Sequence, residues 1–189
     1  MSHTGDGRRA GKDEKAGVAS RRPGSPAGCE AGNVEGALAL ALQFVVARQR
    51  TAHEVRQKLV RSGVSEAVIE SVLEQLQERR LLDDAAYTRA YLTSRLSHRG
   101  YGPQRLSREL HQRGVGRALI EEAVQHTLEA DDVLAAARAQ ALKRWPRLGR
   151  EPDPARRRQK LYDFLRRRGF ASAIVQRVLA DMLAEHPSD

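Results

Sequence analysis

The sequence predicts an all-α protein made of three tandem three-helix repeats in an elongated array, preceded by a disordered N-terminal tail. The main observation is an apolar pattern that recurs around Gly63, Gly114 and Gly169, which lie 51 and 55 residues apart. Each glycine follows a leucine by four residues and directly precedes an apolar residue. A period of roughly 50 residues is typical of arrays of small helical units that bury their apolar faces against one another. We therefore expect a long interaction surface in place of one deep pocket.

Residues 1–33 are predicted to form the disordered tail. This segment holds seven glycines and two prolines among scattered charges. Such a composition buries too little apolar surface to offset the entropy that is lost when a chain becomes ordered. The three repeats are then expected at residues 34–83, 84–128 and 129–186.

The first repeat is expected to open with an amphipathic helix. Thr51 and Glu54 then form a capping-box pattern, in which both side chains accept hydrogen bonds from the free N–H groups that start a second helix. Gly63 is expected to end this helix in the left-handed conformation, which a glycine adopts without steric penalty. Ser65 is expected to cap a third helix. The apolar stripe of the opening helix is predicted to comprise Leu38, Leu42, Val45 and Val46.

The second repeat is expected to begin at an acidic pair. Asp83 or Asp84 can cap the fourth helix, because a carboxylate there accepts hydrogen bonds from free N–H groups and favours the positive end of the helix dipole. Tyr87 and Tyr91 follow one turn apart and share a face of that helix. The pair at 131 and 132 is interpreted in the same way, as a cap on the seventh helix.

Prolines mark three further helix boundaries. Pro103, after Gly102, suits the first position of a helix, where its missing N–H is no loss. Pro146 is expected to stop the seventh helix, and Asp153 with Pro154 is expected to start the eighth with a cap followed by a first-turn proline. These signals predict nine helices and no strands. The stripe of the seventh helix is predicted to comprise Leu134, Ala137, Ala141 and Trp145.

The charge is concentrated in the second and third repeats. The chain carries a net charge of +9, and residues 34–84 contribute −1 while residues 85–128 and 129–189 contribute +4 each. A balance this basic indicates an anionic partner, either nucleic acid or an acidic protein surface. The helix after each glycine is poorer in positive charge and carries Glu66, Glu70, Glu121 and Glu122. Phosphate would repel these carboxylates, which argues against a helix–turn–helix protein that reads the DNA groove with that helix.

Arginines of the second and third repeats are the predicted partner-binding residues. The guanidinium group suits both carboxylates and phosphates because its planar fork pairs with two oxygens at once. The two arginine triplets of the third repeat cover too much of a helix circumference for all six residues to share one contact. The predicted set is Arg95, Arg99, Arg105, Arg108, Arg113, Arg156, Arg157, Arg158, Arg166, Arg167 and Arg168.

No combination of residues predicts catalysis, a metal site or a cofactor. His53 and Glu54 start a pattern typical of zinc proteases, but Gln57 stands where the second histidine is required. Lys12 belongs to an incomplete phosphate-loop pattern, and Cys29 is the only cysteine, so neither an internal disulfide nor a thiolate metal site is expected. No apolar stretch reaches the ~18 residues of a membrane span. We expect a cytoplasmic protein that is not an enzyme.

Three segments, residues 51–59, 81–87 and 102–110, together resemble the RecX family. The most specific parts are Asp83 and Asp84 followed by Tyr87, and Gly102 followed by Pro103. The resemblance covers about residues 34–185 and implies three tandem three-helix repeats. It also implies a monomeric regulator that lies in the groove of the RecA–DNA filament, inhibits strand exchange and ATP hydrolysis, and so modulates DNA repair and recombination. The family supplies no catalytic residues.

Two other interpretations remain open at this stage. The chain could bind DNA or RNA directly through its basic helices, without any recombinase. It could instead be a helical adaptor for another acidic protein, as arrays of this kind often are. The sequence does not distinguish between capping a filament end and coating its groove, and it does not predict whether DNA is contacted directly.

Overall fold

The structure is a computed structural model that describes residues 33–185. Within this range the chain forms nine helices and no strand, as the sequence predicts. The helices are α1 (Val34–Ala47), α2 (Ala52–Arg61), α3 (Glu66–Glu78), α4 (Asp84–Arg99), α5 (Pro103–Gln112), α6 (Arg117–Thr127), α7 (Ala130–Leu148), α8 (Pro154–Arg167) and α9 (Ser172–Glu185). The tail, with Lys12 and Cys29, lies outside the described residues except for Asn33.

The nine helices form three units in tandem, which we call the first unit (α1–α3), the second unit (α4–α6) and the third unit (α7–α9). Helices within each unit pack on one another, and α4 of the second unit also packs on α7 of the third. The second and third units consequently share one apolar core, which runs from Leu92 through Phe170 to Met182. The first unit has a separate apolar core around Val55, Leu59 and Ile69. Residues 33–185 therefore contain two separate apolar cores, one in the first unit and one shared by the second and third units.

Most helix starts follow the capping signals in the sequence. Thr51 and Glu54 form the predicted capping box of α2. The side chain of Asp83 caps α4, and that of Asp153 caps α8 ahead of the first-turn proline. Ser65 is the N-cap residue of α3 but makes no side-chain cap hydrogen bond. Side-chain caps are thus present at the starts of α2, α4 and α8, and also at α1 through Asn33.

The helix that precedes each repeat glycine ends in a left-handed turn. The φ angles of Gly63, Gly114 and Gly169 are +78°, +78° and +92°, a region that L side chains rarely adopt. The prediction of left-handed glycines at these ends is confirmed. The apolar residue after each glycine, such as Val115, then enters the core and starts the return of the chain toward the third helix of its unit.

The predicted stripe of α1 is only partly correct. Ala37 and Ala41 are the fully buried residues of this helix, while Leu38, Leu42 and Val45 pack at the edge of the core. Val46 is 79% exposed, so its placement in the stripe is wrong. Small residues face the core here because α1 packs on both α2 and α3, and close approach to two helices leaves room only for alanine.

Two predictions on α7 are also wrong. Pro146 does not stop the helix, which continues to Leu148. A proline this close to the end removes a single backbone hydrogen bond, and burial of Leu148 holds the last turn in place. Asp131 and Asp132 do not cap the helix either: the N-cap is Glu129, and both aspartates lie in the first turn, where they still favour the helix dipole.

Candidate partner-binding surface

The first and second units meet at a polar joint, which we call the first joint. The hydroxyl of Thr51 donates a hydrogen bond of 2.7 Å to the backbone oxygen of Arg113. The backbone N–H of Ala52 donates to Asp84 Oδ1 at 2.9 Å. Arg113 Nη1 forms an ion pair of 2.9 Å with Glu54 Oε1. The start of α2 is therefore attached to the glycine turn at the end of α5.

The second joint, between the second and third units, repeats this arrangement one unit further along the chain. The backbone N–H of Gly102 donates to the oxygen of Arg168 at 2.8 Å, and that of Gln104 donates to the oxygen of Gly169 at 3.1 Å. Arg168 Nη1 donates back to the oxygen of Arg99 at 2.8 Å. The start of α5 is thus attached to the glycine turn at the end of α8.

Beside the first joint lies a polar groove of about 540 Å³, which we call the arginine–tyrosine groove. Its walls come from the end of α1, the start of α2, and helices α4 and α5. Arginines outnumber carboxylates in it. It is lined by Arg48, His53, Glu54, Gln57, Tyr91, Arg95, Tyr101, Arg105, Glu109, Gln112 and Arg113.

Arginines flank the tyrosine rings of this groove. The guanidinium carbons of Arg95 and Arg113 lie 5.1 and 5.3 Å from the centre of the Tyr91 ring. That of Arg105 lies 3.7 Å from the centre of the Tyr101 ring. A cation over an aromatic face is held by the charge distribution of the ring, so these arginines are positioned while they still carry full positive charge.

Glu109 organises the middle of the groove. It accepts hydrogen bonds from the Tyr91 hydroxyl at 2.7 Å and from Arg105 Nε at 2.8 Å. Burial raises the pKa of Glu109, but the two hydrogen bonds and the charges of Arg105 and Arg95 together leave the pKa below its usual value. Burial, together with the hydrogen bond to Glu109, raises the pKa of the Tyr91 hydroxyl. Glu109 is therefore an anion and Tyr91 a neutral donor at neutral pH.

Two groove arginines have no carboxylate partner. Within residues 33–185, Arg48 and Arg95 form no ion pair, whereas Arg105 and Arg113 are paired with Glu109 and Glu54. A partner that enters the groove would therefore meet two arginines that are not held in an ion pair within the described residues. Paired arginines still present N–H donors, but they bind an incoming anion less strongly because a carboxylate already accepts from them.

The predicted partner-binding arginines differ widely in exposure. Arg157 is buried, with 8% of its surface exposed. The half-buried members are Arg95, Arg105, Arg113, Arg166 and Arg168. The exposed members are Arg99, Arg108, Arg156, Arg158 and Arg167. The structure does not bring these residues together into one site.

The two arginine triplets of α8 are divided between the interior and the surface. Arg157 donates from Nε and Nη2 to the backbone oxygen of Glu151, at 3.3 and 3.0 Å, and thereby closes the loop between α7 and α8. Arg166 donates to the oxygen of Phe170 at 2.7 Å, and Arg168 is committed to the second joint. Burial lowers the pKa of Arg168 from its ordinary value. Arg157, Arg166 and Arg168 thus bind backbone oxygens of the fold, and Arg156 forms an exposed ion pair with Asp153.

The exposed arginines of α5 and α8 meet in a second, shallower depression of about 250 Å³. Arg108 and Arg167 line it together with Arg105, Glu109 and Gln112. It continues from the arginine–tyrosine groove, because Arg105, Glu109 and Gln112 line both. A basic surface therefore extends along α5 from the first unit to the third, and we call the two depressions together the α5 surface.

Sequence reasoning missed two contributors to this surface. Arg48 follows the last turn of α1, in the first repeat, whereas the predicted arginines all lie in the second and third repeats. Tyr101 was not among the predicted partner-binding residues, although its ring contacts both Arg105 and Arg168. The signal that could have found Tyr101 is its place directly before Gly102, next to the start of the helix that carries Arg105 and Arg108.

The described residues contain neither a metal site nor a membrane span. Residues 33–185 hold no group of three or more His, Cys, Asp or Glu side chains that could ligate a metal ion. No helix in the same range is long and apolar enough to cross a membrane. The Asp83 and Asp84 carboxylates instead serve the start of α4 and the first joint.

Three family models match the chain in the order of its units. They are described as RecX, first three-helix domain, over residues 37–76; RecX, second three-helix domain, over 83–124; and RecX, third three-helix domain, over 130–179. A crystal structure of regulatory protein RecX, 26% identical, superposes with a TM-score of 0.69 over 77% of this chain and 70% of its own. The RecX crystal structure from Lactobacillus salivarius, 20% identical, shares the fold with a TM-score of 0.73 over 78% of this chain and 95% of its own.

Curated relatives match over most of the chain. The regulatory protein RecX of Prosthecochloris aestuarii is 37% identical over 147 residues, which cover 78% of this chain and 93% of the relative. That of Deinococcus radiodurans is 34% identical over 182 residues, which cover 96% of this chain and 85% of the relative. Matches of this extent, with three domain models in the same order, establish that the chain belongs to the RecX family of regulatory proteins.

Proposed function

We propose that this chain binds the RecA–DNA filament and inhibits the recombinase, both in strand exchange and in ATP hydrolysis. It would act as a cytoplasmic monomer, without catalysing a reaction of its own, and would thereby modulate DNA repair and recombination. The observation that supports this proposal most directly is membership of a regulatory family whose relatives match the chain over nearly their whole length.

The α5 surface is the proposed contact with the filament. It combines Arg48 and Arg95, which form no ion pair within residues 33–185, with the exposed arginines Arg108 and Arg167. Acidic side chains and phosphates are both ligands for such groups, and the planar guanidinium fork can take two oxygens at once. Arg157 and Arg168 are less suited to this contact, because their guanidinium groups already donate to backbone oxygens of the fold.

The tandem arrangement suits a polymeric partner. The helices of a unit are 10 to 19 residues long, and a helix of ~12 residues spans ~18 Å. Three linked units can therefore reach more than one subunit of a filament. Each contact can then be modest, because linking them raises the effective concentration of the second after the first has formed.

The test is the rate of DNA-dependent ATP hydrolysis by the recombinase on single-stranded DNA, measured as this protein is added. The double variant Arg108→Glu with Arg167→Glu should need a concentration at least about tenfold higher for half-inhibition, because charge reversal turns attraction into repulsion. Both side chains are exposed, and neither holds a joint together. Helical content measured by circular dichroism should be unchanged.

The matched control is Arg89→Glu with Arg177→Glu. These arginines are also exposed, but they lie on α4 and α9, and neither lines the α5 surface. The control has the same net charge as the test variant and should inhibit like the unaltered protein. Equal inhibition by all three proteins would exclude the α5 surface, and no inhibition by the unaltered protein would refute the function.

A second candidate function is direct binding to single-stranded nucleic acid. The specific observation in its favour is the pairing of arginines with Tyr91 and Tyr101 in one groove. Proteins that bind single strands combine cations for the phosphates with aromatic rings on which bases stack. Titration of single-stranded DNA at several salt concentrations, without recombinase, separates the two functions. Tight binding with a steep salt dependence would favour direct binding, whereas weak binding would favour the filament.

The third possibility, an adaptor for another acidic protein, is distinguished by affinity capture from bacterial extract. The proposed function requires RecA among the captured proteins when single-stranded DNA and ATP are present, so that filaments can form. An eluate that contains an acidic protein but no recombinase would favour the adaptor.

A further inference from the structure

The three units differ at one position that decides whether their second and third helices are bridged. Seven residues before the repeat glycine stand Arg56 in the first unit, Ser107 in the second and Tyr162 in the third. This position faces the helix that follows the glycine. The side chain at this position therefore affects what lies between the two helices.

In the first and third units, polar side chains bridge these two helices. In the first unit, Arg56 of α2 forms ion pairs with Glu66 and Glu70 of α3. In the third unit, the hydroxyl of Tyr162 on α8 donates to Ser172 Oγ of α9 at 3.2 Å. A long side chain thus crosses from one helix to the other in both units.

The second unit leaves this space open. Ser107 is too short to cross, and its hydroxyl donates instead to the oxygen of Pro103 on its own helix, at 2.9 Å. Between α5 and α6 there remains a slot of about 410 Å³, which we call the α5–α6 slot. Its volume falls within the range of roughly 300–1,000 Å³ that is typical of binding pockets. It is lined by Ser107, Arg108, His111, Gln112, Arg117, Ile120 and Glu121.

The walls of the slot are suited to an apolar side chain. Ile120 lies on its inner side and is 4% exposed. The long side chains of Arg108 and Arg117 contribute alkyl stems, while their charged ends can remain in water. No polar side chain bridges the slot from α5 to α6 within the described chain, so an apolar group can enter without breaking a hydrogen bond between the helices.

The charge around the slot favours an acidic ligand. Where the first unit has Glu66, three residues after its glycine, the second unit has Arg117. Arg108 is exposed on the opposite wall, beside His111, and Glu121 is the only carboxylate of the slot. Glu121 already pairs with Arg117 at 2.7 Å. The slot therefore presents net positive charge around an apolar interior.

We propose that the α5–α6 slot binds an acidic segment of a partner protein by receiving one large apolar side chain of that segment. Arg108 and Gln112 line both the slot and the α5 surface, so a single partner can occupy the two together. The proposal deepens the proposed function by naming the chemistry of the segment that is bound. It can be tested without recombinase, so the failure of one proposal leaves the other standing.

Isoleucine methyl groups provide a direct measurement. The chain has three isoleucines, Ile69, Ile120 and Ile174, one in each unit. In the full-length protein labelled at these methyl groups, we expect NMR titration with an acidic twelve-residue peptide carrying a central phenylalanine to shift the Ile120 signal, but not the other two. A peptide with serine in place of the phenylalanine should bind about tenfold more weakly or worse, because it buries no ring.

Two variants separate occupation of the slot from attraction by charge. Ser107→Arg introduces the side chain that bridges the first unit, with Glu121 as its partner, and should weaken binding of the phenylalanine peptide by about tenfold or more. Ala90→Arg adds the same charge at an exposed position of α4 outside the slot, and it should bind at least as tightly as the unaltered protein. Attraction by net charge alone would strengthen binding in both variants.

Four outcomes would overturn the proposal. They are equal binding of the two peptides, undiminished binding by folded Ser107→Arg, equally tight binding of a basic peptide with the same phenylalanine, and an Ile120 signal that shifts with protein concentration before any peptide is added. The last outcome would assign the slot to a second copy of this chain. Circular dichroism melting of each variant shows that it is folded, and Arg117→Glu, which restores the charge of the first unit, should weaken binding independently.

Discussion

The two joints of this molecule use the same backbone positions but are stabilised differently. Both attach the start of one helix to the glycine turn of the next unit. The first joint depends on polar contacts by Thr51, Glu54 and Asp84. The second joint adds to its backbone hydrogen bonds a continuous apolar core, formed where α4 packs on α7.

Repeats with the same helical arrangement can therefore be connected by joints of different stability. Burial of apolar surface contributes more to stability than exchanging hydrogen bonds with water for hydrogen bonds within the protein. We therefore expect the second and third units to unfold together and the first unit to open separately. In calorimetry this predicts two transitions, and the following substitutions act on one or the other.

The largest effect is expected from Gly169→Ala. A Cβ atom here would overlap the backbone N and the Cβ of Arg105, and φ is +92°. Backbone atoms cannot move aside without breaking the second joint, so we expect a loss of about 3 kcal/mol in the free energy of unfolding. The measurement is chemical denaturation followed by circular dichroism, with the loss confined to the transition of α4–α9.

Gly63→Ala is the matched control for this substitution. Its φ is +78°, but nothing lies within 4 Å of the added Cβ, so only backbone strain of about 1 kcal/mol is expected. If both variants lose the same stability, close packing at the second joint has no energetic role.

Gly114→Ala should have an intermediate effect of about 2 kcal/mol. The added Cβ would overlap the Cβ and the ring of His53, so the start of α2 has to shift, and only the polar contacts of the first joint oppose that shift, whereas at Gly169 the obstacle includes the backbone N of Arg105. The first joint should open while both apolar cores persist. Hydrogen exchange of the α2 amides would show this as faster exchange in the first turn, and unchanged exchange there would contradict the prediction.

Thr51→Val tests the hydroxyl of the first joint at nearly constant volume. It removes the hydrogen bond to the oxygen of Arg113 and the cap of α2 together, so we expect a loss of about 1–2 kcal/mol in the transition of the first unit. The control is Ser65→Ala, an N-cap with no side-chain cap hydrogen bond, which should lose a few tenths of a kcal/mol at most. Equal losses would mean that neither hydrogen bond of the Thr51 hydroxyl contributes to stability.

The smallest effect is expected from Asp84→Asn, which keeps an acceptor oxygen for Ala52 N–H. Burial raises the pKa of Asp84 above its ordinary value of 3.8, and Asp83 and Glu54 add to this, while the hydrogen bond from Ala52 and the charge of His53 oppose it. The native state thus holds the proton more tightly than the unfolded chain, so the contribution of Asp84 to stability falls as pH rises from about 3.8 through the raised pKa.

Asparagine does not ionise, so the variant lacks this decline. The stability of Asp84→Asn relative to the unaltered protein should be higher at pH 7 than at pH 3.5, by less than about 1 kcal/mol. Denaturation of both proteins at the two pH values measures the difference. A relative stability that does not change with pH, or that falls, would show that the carboxylate is not penalised by burial.

Much of the fold could be predicted from the sequence because it depends on local chemistry. The capping box at Thr51, the cap at Asp83 and the left-handed glycines are decided by residues a few positions apart. The prediction that Pro146 stops α7 failed because tertiary packing outweighed local preference, as the buried Leu148 shows by keeping the helix intact beyond the proline. The cap predicted at Asp131 and Asp132 failed because the helix begins at Ala130, ahead of both residues.

The candidate surface was less predictable because its geometry depends on distant partners. Thr51 was expected to cap α2, but its second hydrogen bond goes to Arg113, 62 residues further along the chain. Arg157 was indistinguishable in sequence from its exposed neighbours in the triplet, and only the fold of the α7–α8 loop buries it. The α5–α6 slot, by contrast, has a sequence signal in the alignment of Ser107 with Arg56 and Tyr162, which only a comparison of the repeats makes visible.

The separate core of the first unit has a kinetic consequence for any long ligand. If the first unit detaches from a polymeric partner while the second and third units stay folded and bound, the protein can release its contacts one at a time. The detached unit rebinds faster than the whole protein dissociates, because the bound units keep it close to its site. The time that the protein stays bound would then be set by dissociation of the second and third units. Its rate of removal would depend on any molecule that competes for the site left by the first unit.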